Sequence, residues 1–342
     1  MSLRVEEVPS LDVLEAPAYR ELLGRCGEDP LFLDPDWLSA WWTAFGEGRR
    51  PLVLRVTENG RPVGYAPLVM STRGRAHWTK VEFMGSGPSD RCGIVAEDGR
   101  PDVHAAVWEH LRERDDWDVL ELRDMRQGGP TEQAARVAFP QAEEAEYAAP
   151  CIALNGSHEA YLASLSKSMR YNLGRGWRHL QAAGAEFRAL RSPSEVAQAV
   201  DWLNDLNDQR WQSSSCLKHP GMPEFVRDFS RRLAGQGVVY HALLVGDEPI
   251  AITLGLEDQR RYLYYLSGFA PELAKHSPGN VLLSKIIEES HRLGRSEVDL
   301  LRGAEAYKYR FNAQDRRQVH LRTVNRGLLR RTQCSLREAP LS

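Results

Sequence analysis

Three β runs follow one another in the second half of this chain, Val238–Val245, Pro249–Leu256 and Arg261–Ser267, with turns at Gly246-Asp247-Glu248 and Glu257-Asp258-Gln259. Turns this short join antiparallel neighbours, so the segment is a β-meander. An apolar helical pattern at Pro278–Leu293 and a buried run at Glu297–Leu301 come next, followed by a last strand at Gln318–Val324. Ahead of the meander stand a strand, Ala185–Leu190, and helices at Ser194–Trp211 and Pro223–Leu233. A meander with helices before and after it packs as a sheet with helices on its faces.

The first half shows the same order of elements. A strand at Leu3–Val8 and a helix near Pro17–Leu23 precede Asp34-Pro35-Asp36, which caps a helix carrying Trp37, Trp41 and Trp42. Those tryptophans pack the first lobe, with a sugar-stacking platform as the sharper alternative. Strands at Pro51–Val56 and Arg61–Ser71 flank Glu58-Asn59-Gly60, where Asn-Gly accepts the positive φ of a tight hairpin. Strands near Val81 and Gly93, a helix at Val103–Arg114, a strand at Asp118–Leu122 and another around Glu146–Leu154 complete the half. A long helical stretch then runs from His158 to about Ala183, interrupted by Gly174 and Gly176. At 342 residues two domains are expected, residues 1–155 and 156–342. The fold class is α/β (α+β): two tandem lobes, each a mixed, mostly antiparallel sheet flanked by helices.

A net charge of −3 gives no global field for DNA or an anionic membrane, so any polyanion site must be local. No run approaches a membrane span and the first residues lack a signal-peptide core, which places the protein in the cytoplasm. Five cysteines, Cys26, Cys92, Cys151, Cys216 and Cys334, are odd in number and show no CxxC or zinc spacing; reduced thiols and no metal are expected. Oligomeric state is left open.

Chemistry concentrates near the end of the chain. His276-Ser277-Pro278-Gly279-Asn280 opens a helix with Ser277 as N-cap and Pro278 at the first helical position, a start able to seat an anion. Asp299 lies in the following strand, and Gly303 then leads to Glu305, Tyr307, Lys308 and Arg310. A lysine there can offset negative charge on a tetrahedral intermediate, and Glu305 or Asp299 can accept a proton. Lys167, Arg170 and Asn172 on one helix, with Trp211, are candidates for substrate binding; a solvated charged face is the bland alternative.

Ser166-Lys167-Ser168-Met169-Arg170-Tyr171-Asn172, Gly246-Asp247-Glu248-Pro249-Ile250-Ala251, Tyr265-Leu266-Ser267-Gly268-Phe269 and Gly303-Ala304-Glu305-Ala306-Tyr307-Lys308 together resemble the CelD-like members of the GNAT acyltransferase superfamily, relatives of the FemAB peptidyltransferases. The likeness covers residues 150 to 320 strongly and the first half more weakly, through Phe32 to Trp42 and Gly64 to Leu68. It implies tandem GNAT-like lobes with the active groove in or beside the second. It also implies direct transfer of an acyl group to an amine, from acyl-CoA, with acetyl-CoA expected, or in the FemAB branch from aminoacyl-tRNA. The near-neutral charge disfavours the tRNA branch. The acceptor is expected to be a small-molecule or saccharide amine, or a cell-envelope component. Lys275 to Asn280 departs from the family's Arg/Gln-x-x-Gly-x-Gly/Ala donor loop, so a non-catalytic binding protein on the same fold is the third alternative.

Overall fold

A computed structural model describes the chain over residues 2–73, 78–211 and 215–325. It divides into two compact units, one running to Tyr147 and resuming at Arg317, the other spanning Ala148–Arg316. The sequence had suggested a single cut at 155/156; the chain beyond Arg316 instead groups with the first unit.

The first unit contains β1 (Leu3–Val8), α1 (Asp12–Glu15), α2 (Pro17–Leu23), α3 (Pro35–Phe45), β2 (Arg49–Glu58), β3 (Arg61–Arg73), β4 (Trp78–Phe83), β5 (Val95–Ala96), α4 (Pro101–Glu113), β6 (Val119–Arg126) and α5 (Pro130–Ala138). Its sheet runs β1-β2-β3-β4-β6 and closes with β13 (Gln314–Val324), the last strand of the described chain; β5 pairs with β3. β4 and β6 are parallel and the other pairs are antiparallel. At the β2–β3 hairpin Asn59 and Gly60 take φ of 50° and 77°, the paired positive values that the Asn-Gly turn was expected to supply. The apolar face of the sheet packs Val81, Phe83 and Leu120 against Trp108 and Leu111 of α4 and Phe139 beyond α5. Trp37 and Trp41 are fully buried, their indole N–H groups donating to Ser89 Oγ (2.8 Å) and the Ser86 carbonyl (3.2 Å); both rings are core, not a sugar platform.

The second unit takes up the chain within β7 (Glu143–Ala153). It continues through α6 (His158–Ser164), α7 (Lys167–Ala182), β8 (Ala185–Leu190), α8 (Pro193–Trp211), α9 (Met222–Arg232), β9 (Val238–Val245), β10 (Glu248–Glu257), β11 (Arg261–Phe269), α10 (Pro278–Arg292), β12 (Glu297–Asp299) and α11 (Ala306–Tyr309). Strand order is β7-β12-β11-β10-β9-β8, with the expected meander antiparallel and β12 parallel to β11. Val281, Leu282, Ile286 and Ile287 of α10 join Leu243, Tyr262 and Val298 in the core, which fixes this helix across the sheet.

Three local features differ from the sequence reading. The long helical stretch breaks at Leu165-Ser166, not at its glycines: Ser157 and Ser166 each accept an N–H three residues on, so two capped helices replace one. Gly176 marks a close approach, since a Cβ there would lie 2.6 Å from the His276 carbonyl oxygen. β6 runs to Arg126, past the expected end at Leu122, and α5 was not anticipated.

Candidate functional site

β11 and β12 pair only at Arg261↔Glu297, Tyr262↔Val298 and Leu263↔Asp299. β11 then continues to Phe269, whereas β12 stops at Asp299, two residues before its expected end. The cause is local: Asp299 Oδ1 accepts the N–H of Leu301 (2.8 Å) and Leu301 takes φ of 58°, a turn that a strand cannot continue through. The far length of β11 is left without a strand neighbour on that side among the described residues.

A cleft of about 210 Å³ lies along that opened edge. β11 contributes Tyr264, Ser267 and Phe269, and the start of α10 contributes Ser277, Gly279 and Asn280. Arg210, near the end of α8, and Tyr307, in α11, complete the polar lining.

Ser277 occupies the N-cap position of α10 but in left-handed geometry, φ and ψ both 52°, and its side chain makes no capping bond. The expected cap is therefore absent, because a cap works from extended backbone. Helix geometry leaves the N–H groups of Gly279 and Asn280 without an intrahelical carbonyl, and nothing from Ser277 substitutes for one. A side chain at residue 279 would fill the approach: its Cβ would stand 3.3 Å from Phe269 Cδ1. An anion can thus reach backbone donors at the positive end of a fifteen-residue helix. Pro278 is buried beneath the turn, and His276 presses its carbonyl on Gly176.

Arg210 lies with its guanidinium carbon 4.4 Å over the Phe269 ring and its Nη1 3.4 Å from Ser267 Oγ. Burial lowers its pKa, opposed by the phenols of Tyr264 and Tyr307. Burial pushes the Tyr307 phenol well above its ordinary pKa, with Tyr264 and Glu305 adding to the effect and Arg210 opposing it, so the hydroxyl keeps its proton at neutral pH.

The remaining expected residues lie elsewhere. Lys308 is buried and donates to the carbonyls of Leu301 (3.2 Å), Arg302 (2.9 Å) and Gly303 (3.0 Å), with Glu305 Oε2 at 2.9 Å. It is a clamp on the turn after β12, and with Glu305 it stands outside the cleft lining. Asp299 is buried and spent on its own turn. Arg170 Nη1 donates to the carbonyls of Ala163 (2.7 Å) and Leu165 (2.5 Å), closing the end of α6; Lys167 and Asn172 are exposed on α7. None of these three lines the cleft. The Trp211 side chain and Cys334 fall outside the described residues. Among the described residues Cys26, Cys92, Cys151 and Cys216 pair in no disulfide with one another. Ligand atoms of Cys151, Glu297 and Asp299 gather within 4.8 Å, but Arg316 pairs with Glu297 at 3.0 and 2.5 Å, putting a guanidinium beside the group. Among the described residues no helix is long and apolar enough to cross a membrane.

Sequence reasoning missed Arg210, Tyr264 and Phe269 as site residues. The signal available was Gly268 between Ser267 and Phe269: a Cβ there would come within 2.7 Å of the Asn207 backbone nitrogen, so α8 rests directly on β11 and brings Arg210 to the strand.

Residues 167–309 match the family model described as an acetyltransferase (GNAT) domain. No curated protein matches in sequence. Among solved structures, FemX is similar with a TM-score of 0.65 at 8% identity, covering 97% of this chain and 100% of FemX. A tandem GNAT protein from the clavulanic acid biosynthesis pathway is similar at 0.53 and 14% identity, covering 95% and 99%. L-PGS from Bacillus licheniformis is similar at 0.54 and 10%, covering 84% and 91%. At these identities the structural likenesses speak for the fold alone, which is that of tandem GNAT-type structures, and within it residues 167–309 resemble a GNAT acetyltransferase domain.

Proposed function

We propose that the chain is an N-acyltransferase whose second unit takes an acyl-CoA, acetyl-CoA in the first instance, and transfers the acyl group directly to an amine. The observation that carries this reading is the meeting of the uncapped α10 start, Arg210 and Tyr307 in one cleft along the opened edge of β11. The donor would supply an activated carbonyl. The amides of Gly279 and Asn280, with Ser277 beside them, would hold its phosphates. The Tyr307 phenol, which stays protonated, would donate to the oxygen or sulfur on which charge develops. Lys308 and Glu305 would act by holding the turn from which Tyr307 projects. No carboxylate is among the described cleft-lining residues, so the amine's proton would leave to water. The acceptor is an amine of a small molecule or of a cell-envelope or saccharide component.

Calorimetric titration with CoA, acetyl-CoA and longer acyl-CoAs tests this. Micromolar binding that disappears in Gly279→Asp is expected. No heat from any thioester, with the protein folded, would remove the acyl-CoA reading. The second reading, aminoacyl-tRNA-dependent transfer, draws support from the end-to-end fold likeness to FemX. Charged tRNA bound with a steep salt dependence would favour it.

A further inference from the structure

We propose that the solvent face of α7 is a docking surface for an anionic lipid bilayer and holds the protein reversibly at a membrane surface. The proposal stands apart from the acyl-transfer reading and needs neither donor nor acceptor. At about 100° per residue, Lys167, Tyr171, Arg175 and Arg178 fall within an arc of about 80°, and their stripe runs about 17 Å along the helix. All four are exposed, Tyr171 to 60%. Met169, Leu173 and Leu180 occupy the opposite side of the helix and belong to the core of the second unit, so the stripe points away from that core. Lys275, exposed in the turn before α10, adds a fourth cation past the end of the stripe, where the His179 and His276 rings stand 5.1 Å apart.

These cations have no carboxylate to meet. No Asp or Glu occurs between Glu159 and Glu186, and among the described residues Lys167, Arg175, Arg178 and Lys275 form no ion pair. Exposed arginines elsewhere are neutralised, Arg112 by Glu109, Arg227 by Asp201 and Arg231 by Asp228. The Arg175 guanidinium carbon lies 6.0 Å from the centre of the Tyr171 ring, so an aromatic with a polar tip stands among the charges, the residue type that settles at headgroup level. A single phosphate ligand reaches only one end of a stripe this long, and a curved nucleic-acid backbone meets a straight one over part of its length. A plane of headgroups meets all of it, and each cation within a Debye length of that plane adds to the attraction. The net charge of −3 turns the rest of the surface away from such a bilayer, so the stripe also sets the orientation of approach. Because the apolar side of α7 is committed to the core, docking is by charge and by Tyr171 without insertion of the helix, which makes it reversible and salt-sensitive.

Flotation of the full chain with lipid vesicles tests the proposal without any acyl donor, so failure of the acyl-transfer reading leaves the result intact. At low salt, capture is expected by vesicles of equal parts phosphatidylglycerol and phosphatidylcholine, fading as salt is raised, and not by phosphatidylcholine alone. The double variant Arg175→Gln, Arg178→Gln should bind roughly 25-fold more weakly, about fivefold for each cation removed, and Tyr171→Ala should weaken binding several-fold without a change of charge. All three positions are exposed, and thermal midpoints close to wild type show that the fold is kept. Arg231→Gln removes one cation from α9 and should bind as wild type does. Absence of capture by anionic vesicles, equal capture by neutral ones, or capture that the double variant retains would each overturn the proposal. Total tRNA is titrated under the same salt; tRNA binding that the double variant loses, with no vesicle capture by wild type, would overturn it too and give the face to nucleic acid.

Discussion

Lys308 Nζ donates to the carbonyl oxygen of Gly303 at 3.0 Å, and this bond, with those to Leu301 and Arg302, ties the turn after β12 to the helix that presents Tyr307. A lysine used in this way holds shape. Lys308→Met leaves buried carbonyls unpaired and should cost about 3 kcal/mol, with the urea midpoint falling accordingly. Transfer should fall with it, and Lys308→Arg should lie between. An unchanged midpoint with transfer abolished would instead put the ammonium in the chemistry.

Tyr307→Phe removes the proposed proton donor and leaves the ring. We expect kcat to drop about 100-fold while calorimetry shows acetyl-CoA bound as in wild type. Because burial raises the phenol's pKa, the wild-type rate should show no alkaline decline below pH 10, the ordinary tyrosine value. Weaker donor binding with kcat preserved would assign Tyr307 to the donor site.

Gly176→Ala places a methyl 2.6 Å from the His276 carbonyl and 3.0 Å from Val281 Cγ2, both next to the α10 start. The loop must shift, at a cost of about 1–3 kcal/mol. Acetyl-CoA affinity should fall even though residue 176 does not line the cleft. Gly174→Ala, where only the flexible end of Arg178 is near, serves as the control and should be nearly silent.

Acid should destabilise the protein in two steps. Burial holds His104 neutral and pushes its pKa from 6.5 down to about 4, so this group favours the fold above pH 6.5 and gives that up as pH falls to 4. Burial opposes ionisation of Glu121, but Lys80 and Arg123 outweigh it and hold the carboxyl at about 2; its contribution is complete above pH 4.5 and lost toward pH 2. Each step is on the order of 3 kcal/mol. Denaturation midpoints across pH should lose the upper step in His104→Gln and shrink the lower one in Lys80→Met. A single acid transition indifferent to both substitutions would contradict this.

The meander and the Asn59-Gly60 hairpin were legible because alternation and turn chemistry are local, and the α10 start at Ser277 to Asn280 was legible for the same reason. α5 escaped because its buried positions include Thr131 and Glu132, so a nine-residue helix showed little apolar stripe. The helix break at Ser166 was obscured by Gly174 and Gly176, which look like breakers but lie inside α7, Gly176 at the close approach to His276. The site resisted for a different reason. Where β11 and β12 stop pairing depends on the Asp299–Leu301 turn, and only that opening tells which of Tyr264, Ser267 and Phe269 faces a ligand. Lys308 was misplaced because a lysine in sequence carries no sign that three carbonyls surround it.

β13 has a consequence for synthesis. β6 lies between β4 and β13, and β13 is made after every other described strand. Until it emerges, the first unit presents β6 as an open edge, with unpaired backbone along Val119–Arg126. The second unit is one unbroken stretch of chain and can finish while the first still waits. The half made first is therefore the half completed last, and any early stop before Gln318 yields a nascent protein with an adhesive sheet edge for chaperones or proteases to recognise.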